Sequence, residues 1–431
     1  MAAEAPRIFY GWWIVAAGTV TYALGYGARY GFAVIFPSLV EEFGWSRDTT
    51  ATVLSSHMLV YGLVAPVVGG LVDRLGARPT MGLGALVLGL GLALSALAQS
   101  PWHFWLSFGL LFGTGLCLVG AVPFAMVLRN WFEKRRGLAF SMLYLGSGGS
   151  YAWYPALAWA IENWGWRTAF LGEGILLTGV ILPLLVLVVR QRPEDRGLCK
   201  DGTHVLDGPE VPLDRSEQGS LARPLRNLPD WTLGQALKAR SFWLMCLAAF
   251  SLWGLMQHIL MAHNVAFAVD MGIPRMRVSS ILSLVGVAYL AGALLAPISD
   301  RIGREATITL AAVTGSCGVL ALVLMRQGSW EGLLYIHALA FGFGNGLGSP
   351  TIAAAVTDLF QGPRVGPVIG SIWLCFAVGG CIGPWLGGWL FEVTGNYRWA
   401  FLMAMAWYVI ACLAVWGAAP RKFQKEDATR K

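Results

Sequence analysis

The chain has 431 residues, 56% of them hydrophobic and only 13% charged, with a net charge of +7 and a mean hydropathy of +0.60. A soluble chain of this length needs far more charge to cover its surface, so a water-soluble globular fold is excluded. The positive charge is spread over many short loops, which excludes a basic stripe for nucleic acid.

A helix needs about 20 apolar residues to cross a bilayer of about 30 Å. Twelve such segments are predicted, over roughly 11–36, 49–71, 80–98, 103–128, 138–160, 168–189, 241–268, 278–298, 306–325, 332–356, 367–391 and 399–417. The fold expected is an all-α membrane protein of twelve helices in two pseudo-symmetric six-helix bundles. The one long connection, 190–240, is rich in Pro, Gly, Asp and Arg and reads as a cytoplasmic linker. It divides 1–189 from 241–431, the second bundle carrying a cytoplasmic tail. With both termini in the cytoplasm, 24 of the 31 Lys and Arg residues lie inside. Arg47, Arg167, Arg275, Arg277, Arg326 and Arg398 lie outside, and Arg29 lies within a span. The positive-inside rule therefore favours this orientation, in a cell inner membrane. No small-residue cleavage site follows a short apolar core near residue 1, so no signal peptide is expected. None of the seven Cys forms a C-x-x-C pair, and neither a disulfide framework nor a zinc site is expected.

In chain order, the first span carries Arg29. It lies eighteen residues past Gly11, or about 27 Å along a helix, in the outer half of the membrane. An intramembrane Arg marks a functional site by default, and guanidinium grips a carboxylate through two parallel hydrogen bonds. Two other readings stay open: snorkelling to the outer interface, and a structural pair with Glu173 of the sixth span. Tyr22, Tyr26 and Tyr30 recur every four residues and form one stripe on this helix. With Tyr61, Tyr144, Tyr151, Tyr154, Tyr289, Asn345 and Trp373 they are candidates to line a central cavity. Packing or interfacial anchoring is the plainer reading of any one of these aromatics.

Between the second and third spans stands Gly69-Gly70-Leu71-Val72-Asp73-Arg74-Leu75-Gly76-Ala77-Arg78. It returns, degraded, as Pro297-Ile298-Ser299-Asp300-Arg301-Ile302-Gly303-Arg304, 227 residues after the first Asp. A turn of two to three residues is expected at each. An Asp near a neighbouring helix N-terminus is stabilised by the helix dipole. Asp73, Arg74 and Arg78, and likewise Asp300, Arg301 and Arg304, are therefore read as gating latches; topology signalling is the plainer alternative. Trp164-Gly165-Trp166-Arg167 and Gly395-Asn396-Tyr397-Arg398 form a second match, at a spacing of 231. Arg135-Arg136-Gly137 and Pro363-Arg364-Val365-Gly366 form a third. Repeats at nearly one offset imply two bundles related by an axis along the membrane normal.

The seventh span offers His258 and His263, candidates for proton coupling because His changes charge near physiological pH. Spaced i, i+5, they do not share one face closely. Hydrogen-bonded packing is the alternative for each, and the reading for His57 and His337. Gly342-Phe343-Gly344-Asn345-Gly346-Leu347-Gly348 lies mid-span and lacks the Lys-Ser/Thr of a phosphate loop. Its small-xxx-small patterns suggest close packing or bending.

Taken together, the sequence resembles the major facilitator superfamily over essentially its whole length. Phe9-Tyr10-Gly11-Trp12-Trp13-Ile14-Val15, Glu42-Phe43-Gly44-Trp45-Ser46-Arg47 and Trp131-Phe132-Glu133-Lys134-Arg135-Arg136-Gly137 resemble the bacterial monocarboxylate and oxalate/formate-type branch. That resemblance implies transport of a small organic anion, a monocarboxylate, with a proton. It favours His263, which precedes an outer Asp-x-Gly at Asp270. One departure matters: such transporters carry an Arg in the eighth span, with an Asp a turn earlier. The corresponding positions here fall near Ala293 and Tyr289, which bear no charge. Arg29 is the candidate replacement. Gly379-Gly380-Cys381-Ile382-Gly383-Pro384-Trp385-Leu386-Gly387-Gly388 resembles the antiporter motif of drug exporters, but in the eleventh span rather than the fifth. An anion exchanger and an exporter of amphipathic compounds are the alternatives within transport, and a transporter-like sensor the alternative outside it. No nucleophile–base pair, metal-ligand cluster or cofactor motif appears, so neither enzymatic activity nor a cofactor is expected.

Overall fold

The computed structural model describes residues 9–133, 135–202, 231–361 and 365–419, the side chain of Arg136 excepted. In lipid every backbone polar group must be satisfied internally, so apolar segments of this length become helices. They are α1 (Tyr10–Phe43), α2 (Arg47–Leu75), α3 (Ala77–Ser95), α4 (Pro101–Trp131), α5 (137–164), α6 (166–188), α7 (Arg240–Asp270), α8 (Arg275–Ile302), α9 (Arg304–Leu324), α10 (Gly332–Leu359), α11 (Gly366–Thr394) and α12 (Arg398–Ala418). α5 and α6 form one apolar run, Gly137–Val188, broken at Gly165. α1 runs seven residues beyond its apolar segment, continues through Pro37, and stops at Gly44 in the left-handed conformation. α4 and α7 each contain a π-helical stretch, Trp105–Phe112 and Ala249–Met256.

The repeated charged turns are shorter than expected. Gly76 alone (φ 88°, ψ 160°) separates α2 from α3, and Gly303 alone (φ 98°, ψ 153°) separates α8 from α9. Glycine adopts positive φ at little steric cost, so the chain reverses at a single residue in each half.

Within the first bundle α1 packs on α5, and α3 on α6; within the second, α8 and α9 pack on α10, and α9 on α12. The two glycine registers of the α10 motif serve different partners. Gly342 and Gly346 sit against α8 at Val285 and Tyr289, while Gly344 sits against α9 at Ala311 and Gly315. The motif is thus a two-sided packing surface. The α11 glycines are used the same way: Gly379 and Gly383 meet α7, and Gly388 meets the backbone of Asp48 in α2.

The bundles meet through α1 with α7, α2 with α11, and α5 with α8. Call the membrane face nearer the chain ends the terminal face and the other the far face. At the far face the contact is polar and two-fold. The Arg47 N–H at the start of α2 donates to Glu392 Oε1 of α11 at 2.7 Å, and the Met276 N–H near the start of α8 donates to Glu162 Oε1 of α5 at 3.1 Å. Each glutamate thus supplies an acceptor to a helix N-terminus of the opposite bundle, where donors lack intrahelical partners. Arg47 also forks onto Asp270 at 2.8 and 2.9 Å and donates to the Tyr397 hydroxyl at 2.8 Å. Burial raises the Tyr397 hydroxyl above its ordinary pKa, so it stays neutral and accepts. At the terminal face Asp73 and Arg74 are exposed and pair with no described residue.

Candidate substrate site

The tyrosine stripe of α1 faces the interior. Tyr22 stacks on Tyr26 (ring centroids 5.1 Å apart), Tyr26 meets Tyr30 edge-on (5.8 Å), and Tyr30 meets Tyr151 of α5 (5.3 Å). Tyr61 of α2 presents its hydroxyl to Tyr26, and Tyr289 of α8 presents its own to Ser349 of α10. Tyr22 also meets Tyr144 (5.8 Å). Tyr151 and Tyr154 lie 5.5 Å apart.

At the head of this stripe lies Arg29, just to the far-face side of the α1 midpoint and only 3% exposed. Its Nη2 contacts His258 Nε2 of α7 and Met58 Sδ of α2. The Tyr26 and Tyr30 rings flank the guanidinium at 5.5 and 5.4 Å. Nε is buried without a partner, and Nη1 hydrogen-bonds to no described residue. No ion pair links Arg29 to any described carboxylate. Glu173, the alternative partner, instead accepts from Trp153 Nε1 at 2.5 Å. The guanidinium is therefore a buried cation whose charge no described carboxylate offsets, a costly arrangement unless an anion visits.

His258 is fixed from behind. Its Nδ1 lies 2.8 Å from the Gly254 carbonyl and 3.1 Å from that of Trp253, both in the π-helical stretch of α7. Carbonyls only accept, so Nδ1 carries the proton and Nε2 faces Arg29 as an acceptor. The structure brings His258, not His263, to Arg29. His263 donates from Nε2 to the Pro384 carbonyl at 2.8 Å and packs between Phe36 and Tyr397. His57 of α2 is buried beside the Arg29–His258 pair, against Phe108 and Phe112, with neither ring nitrogen partnered by a described residue.

The second bundle contributes Trp373, half exposed and stacked on Trp253 at 5.1 Å. Asn345 turns back onto its own helix, donating to the Phe341 carbonyl at 3.1 Å, with its Oδ1 buried and unpartnered. At the terminal face, Arg78 and Arg301 are exposed and, like Asp73 and Arg74, pair with no described residue. Arg304 is buried. Its Nε donates to Asp358 of α10 at 2.9 Å, its Nη1 pairs with Asp300 at 2.6 Å, and Nη1 also reaches Ser299. Met58 and Trp253 were not singled out by sequence. An ordinary methionine carries no functional signature, and Trp253 reaches the site through a helical register that an α-helical template does not contain.

Two six-helix bundles around a buried polar midplane define a membrane transporter. A family model described as Major Facilitator Superfamily matches residues 18–382 and again 268–431. The chain belongs to that superfamily and is a transporter, not an enzyme. It is a distant homologue of monocarboxylate transporters. It is 28% identical to Monocarboxylate transporter 13 of Rattus norvegicus over 94% of this chain and 87% of that protein. It is 28% identical to Monocarboxylate transporter 11 of Mus musculus over 96% and 88%. Among solved structures, a bacterial homologue of the human lysosomal transporter Spinster aligns with a TM-score of 0.69 at 16% identity, over 97% of this chain and 99% of that one. The nucleoside transporter NupG aligns with a TM-score of 0.70 at 11% identity, over 95% and 100%.

Proposed function

We propose that this chain is a secondary active transporter of a small organic anion, a monocarboxylate, working by alternating access and driven by protons. The observation that carries the reading is Arg29: buried near the midplane, facing no described carboxylate, with Nε and Nη1 unengaged by any described residue. A carboxylate fits its fork, and the tyrosine stripe offers hydroxyl donors within an apolar wall. The names of the related monocarboxylate transporters support the substrate class. The excess of Lys and Arg supports a cytoplasmic terminal face. On that orientation the clasped far face is the outer one.

The test is uptake into proteoliposomes. Acetate, L-lactate, pyruvate and larger monocarboxylates are presented with neutral and cationic solutes as controls. R29A is expected to weaken acid binding about tenfold or more, since one charge-assisted hydrogen bond is worth about 1.5–3 kcal/mol. R29K is expected to fall between, keeping the charge and losing the fork. Transport of a neutral or cationic solute, with affinity unchanged in a folded R29A protein, would overturn the reading.

A further inference from the structure

The contact between Arg29 and His258 joins residues 229 positions apart and ties the first bundle to the second at the midplane. Its polarity is fixed. The Nδ1 proton of His258 is committed to the Trp253 and Gly254 carbonyls, and a guanidinium only donates. Nε2 must therefore be unprotonated while it faces Nη2. Phe376, Gly380 and Gly383 of α11 also pack against His258. The titratable or charged groups facing it are Arg29 from α1 and His57 from α2.

Of the two terminal nitrogens of Arg29, Nη1 has no partner among the described residues, and Nη2 is engaged by His258 and Met58. A carboxylate that forks across both takes one of the two Nη2 hydrogens that His258 Nε2 and Met58 Sδ now share, and so competes with the imidazole. The displaced Nε2 is then a buried acceptor without its donor, beside the anion that displaced it. We propose that His258 and the substrate carboxylate are alternative partners of Arg29, and that the displaced Nε2 takes up the coupled proton. This rests on the anion-transporter reading above. The proton comes from solvent, forms an N–H bond at Nε2, and that N–H donates to the carboxylate. On release the anion leaves, the proton returns to solvent, and Nε2 falls back on Arg29. The charges close. The empty site holds the Arg29 cation alone. The loaded site holds two cations and one anion. Both carry the same net charge across, so a cycle with a monoanion is electroneutral.

The experiment is titration calorimetry on the purified full-length protein, with pyruvate and L-lactate as probes. Buffers of different ionisation enthalpy count the protons taken up per anion bound. The wild type should take up about one proton per anion, and its Kd should rise by up to about tenfold per pH unit where Nε2 titrates. H258Q should bind the anion with no proton uptake and a flat pH profile, and should lose uphill uptake driven by a pH gradient. H263Q should keep both. Anion binding by the wild type with no proton uptake overturns the proposal, with no variant required. Proton uptake undiminished in H258Q also overturns it. Failure of the wild type to bind any acid, or acid binding unaffected by R29A, overturns the anion reading itself, and this proposal with it.

Discussion

At the α2–α3 turn the chain reverses at Gly76, and at the α8–α9 turn at Gly303, with φ and ψ within about ten degrees of each other. The side chains around them have parted. In the first turn Asp73, Arg74 and Arg78 stand exposed, and the neighbouring contacts are neutral: Gln191 Oε1 accepts from the Ala77 N–H at 3.2 Å, and the Gln191 carbonyl accepts from Asn130 at 3.1 Å. In the second, Arg304 occupies the place of Ala77 and Asp358 that of Asn130, and Arg304 is buried between Asp358 and Asp300. The duplicated backbone has kept its geometry, while one copy became an internal brace and the other keeps its charges unpaired among the described residues. A free carboxylate at a bundle edge is available to a helix end of the other bundle. A braced one is not.

The largest expected effect breaks the brace. Arg304 is buried while Asp358 is partly and Asp300 largely exposed, so R304A should cost about 1.5–3 kcal/mol, the worth of a charge-assisted hydrogen bond, and lower the thermal stability of the detergent-solubilised protein. R74A, at an exposed site, should change stability by less than about 0.5 kcal/mol. Equal effects would erase the contrast between the two turns.

Next comes the far-face clasp, which has no counterpart at the terminal face among the described residues. The pair E162Q and E392Q removes two charges from helix N-termini, each worth about 0.3–1 kcal/mol. Their sum corresponds to a shift of roughly three- to thirtyfold in favour of a parted far face. Spin labels at Trp164 and Asn396, both exposed on that face, should report a longer distance in the double variant. An unchanged distribution would mean that apolar packing alone closes the far face. The smallest effect belongs to Asp73. D73N should slow transport several-fold while leaving the Kd within about threefold, because the turn lies far from the midplane. A large loss of binding at a normal exchange rate would place Asp73 in the wrong role.

Most of the fold was legible because the bilayer imposes one length and one secondary structure on every span. The repeat spacing gave the pairing of halves. What the sequence hid was local. The α5–α6 junction is a single glycine inside a continuous apolar run, and α1 continues past its apolar residues because nothing before Gly44 stops it. Of the site, Arg29 was visible as the lone cation inside a span. Its partner was not, because a contact between residues 229 apart depends on how two bundles dock. Which of His258 and His263 lies against Arg29 depends on the π-helical stretch just before them. Widened turns there rotate the following residues relative to an α-helical template. The cue that favoured His263, an outer Asp-x-Gly, instead marks the clasp: Asp270 holds Arg47.

The one-residue junctions at Gly76 and Gly303 leave no slack between the helices they join. α2 and α8 line the seam between the bundles, while α3 and α9 present Leu83, Leu86, Leu90, Leu310, Val313 and Leu320 outward. A displacement at the seam is handed on to these outward helices within one residue. Each opening must therefore push lipid aside as well as admit water, and the lateral pressure and thickness of the surrounding bilayer become part of the load that the transport cycle works against.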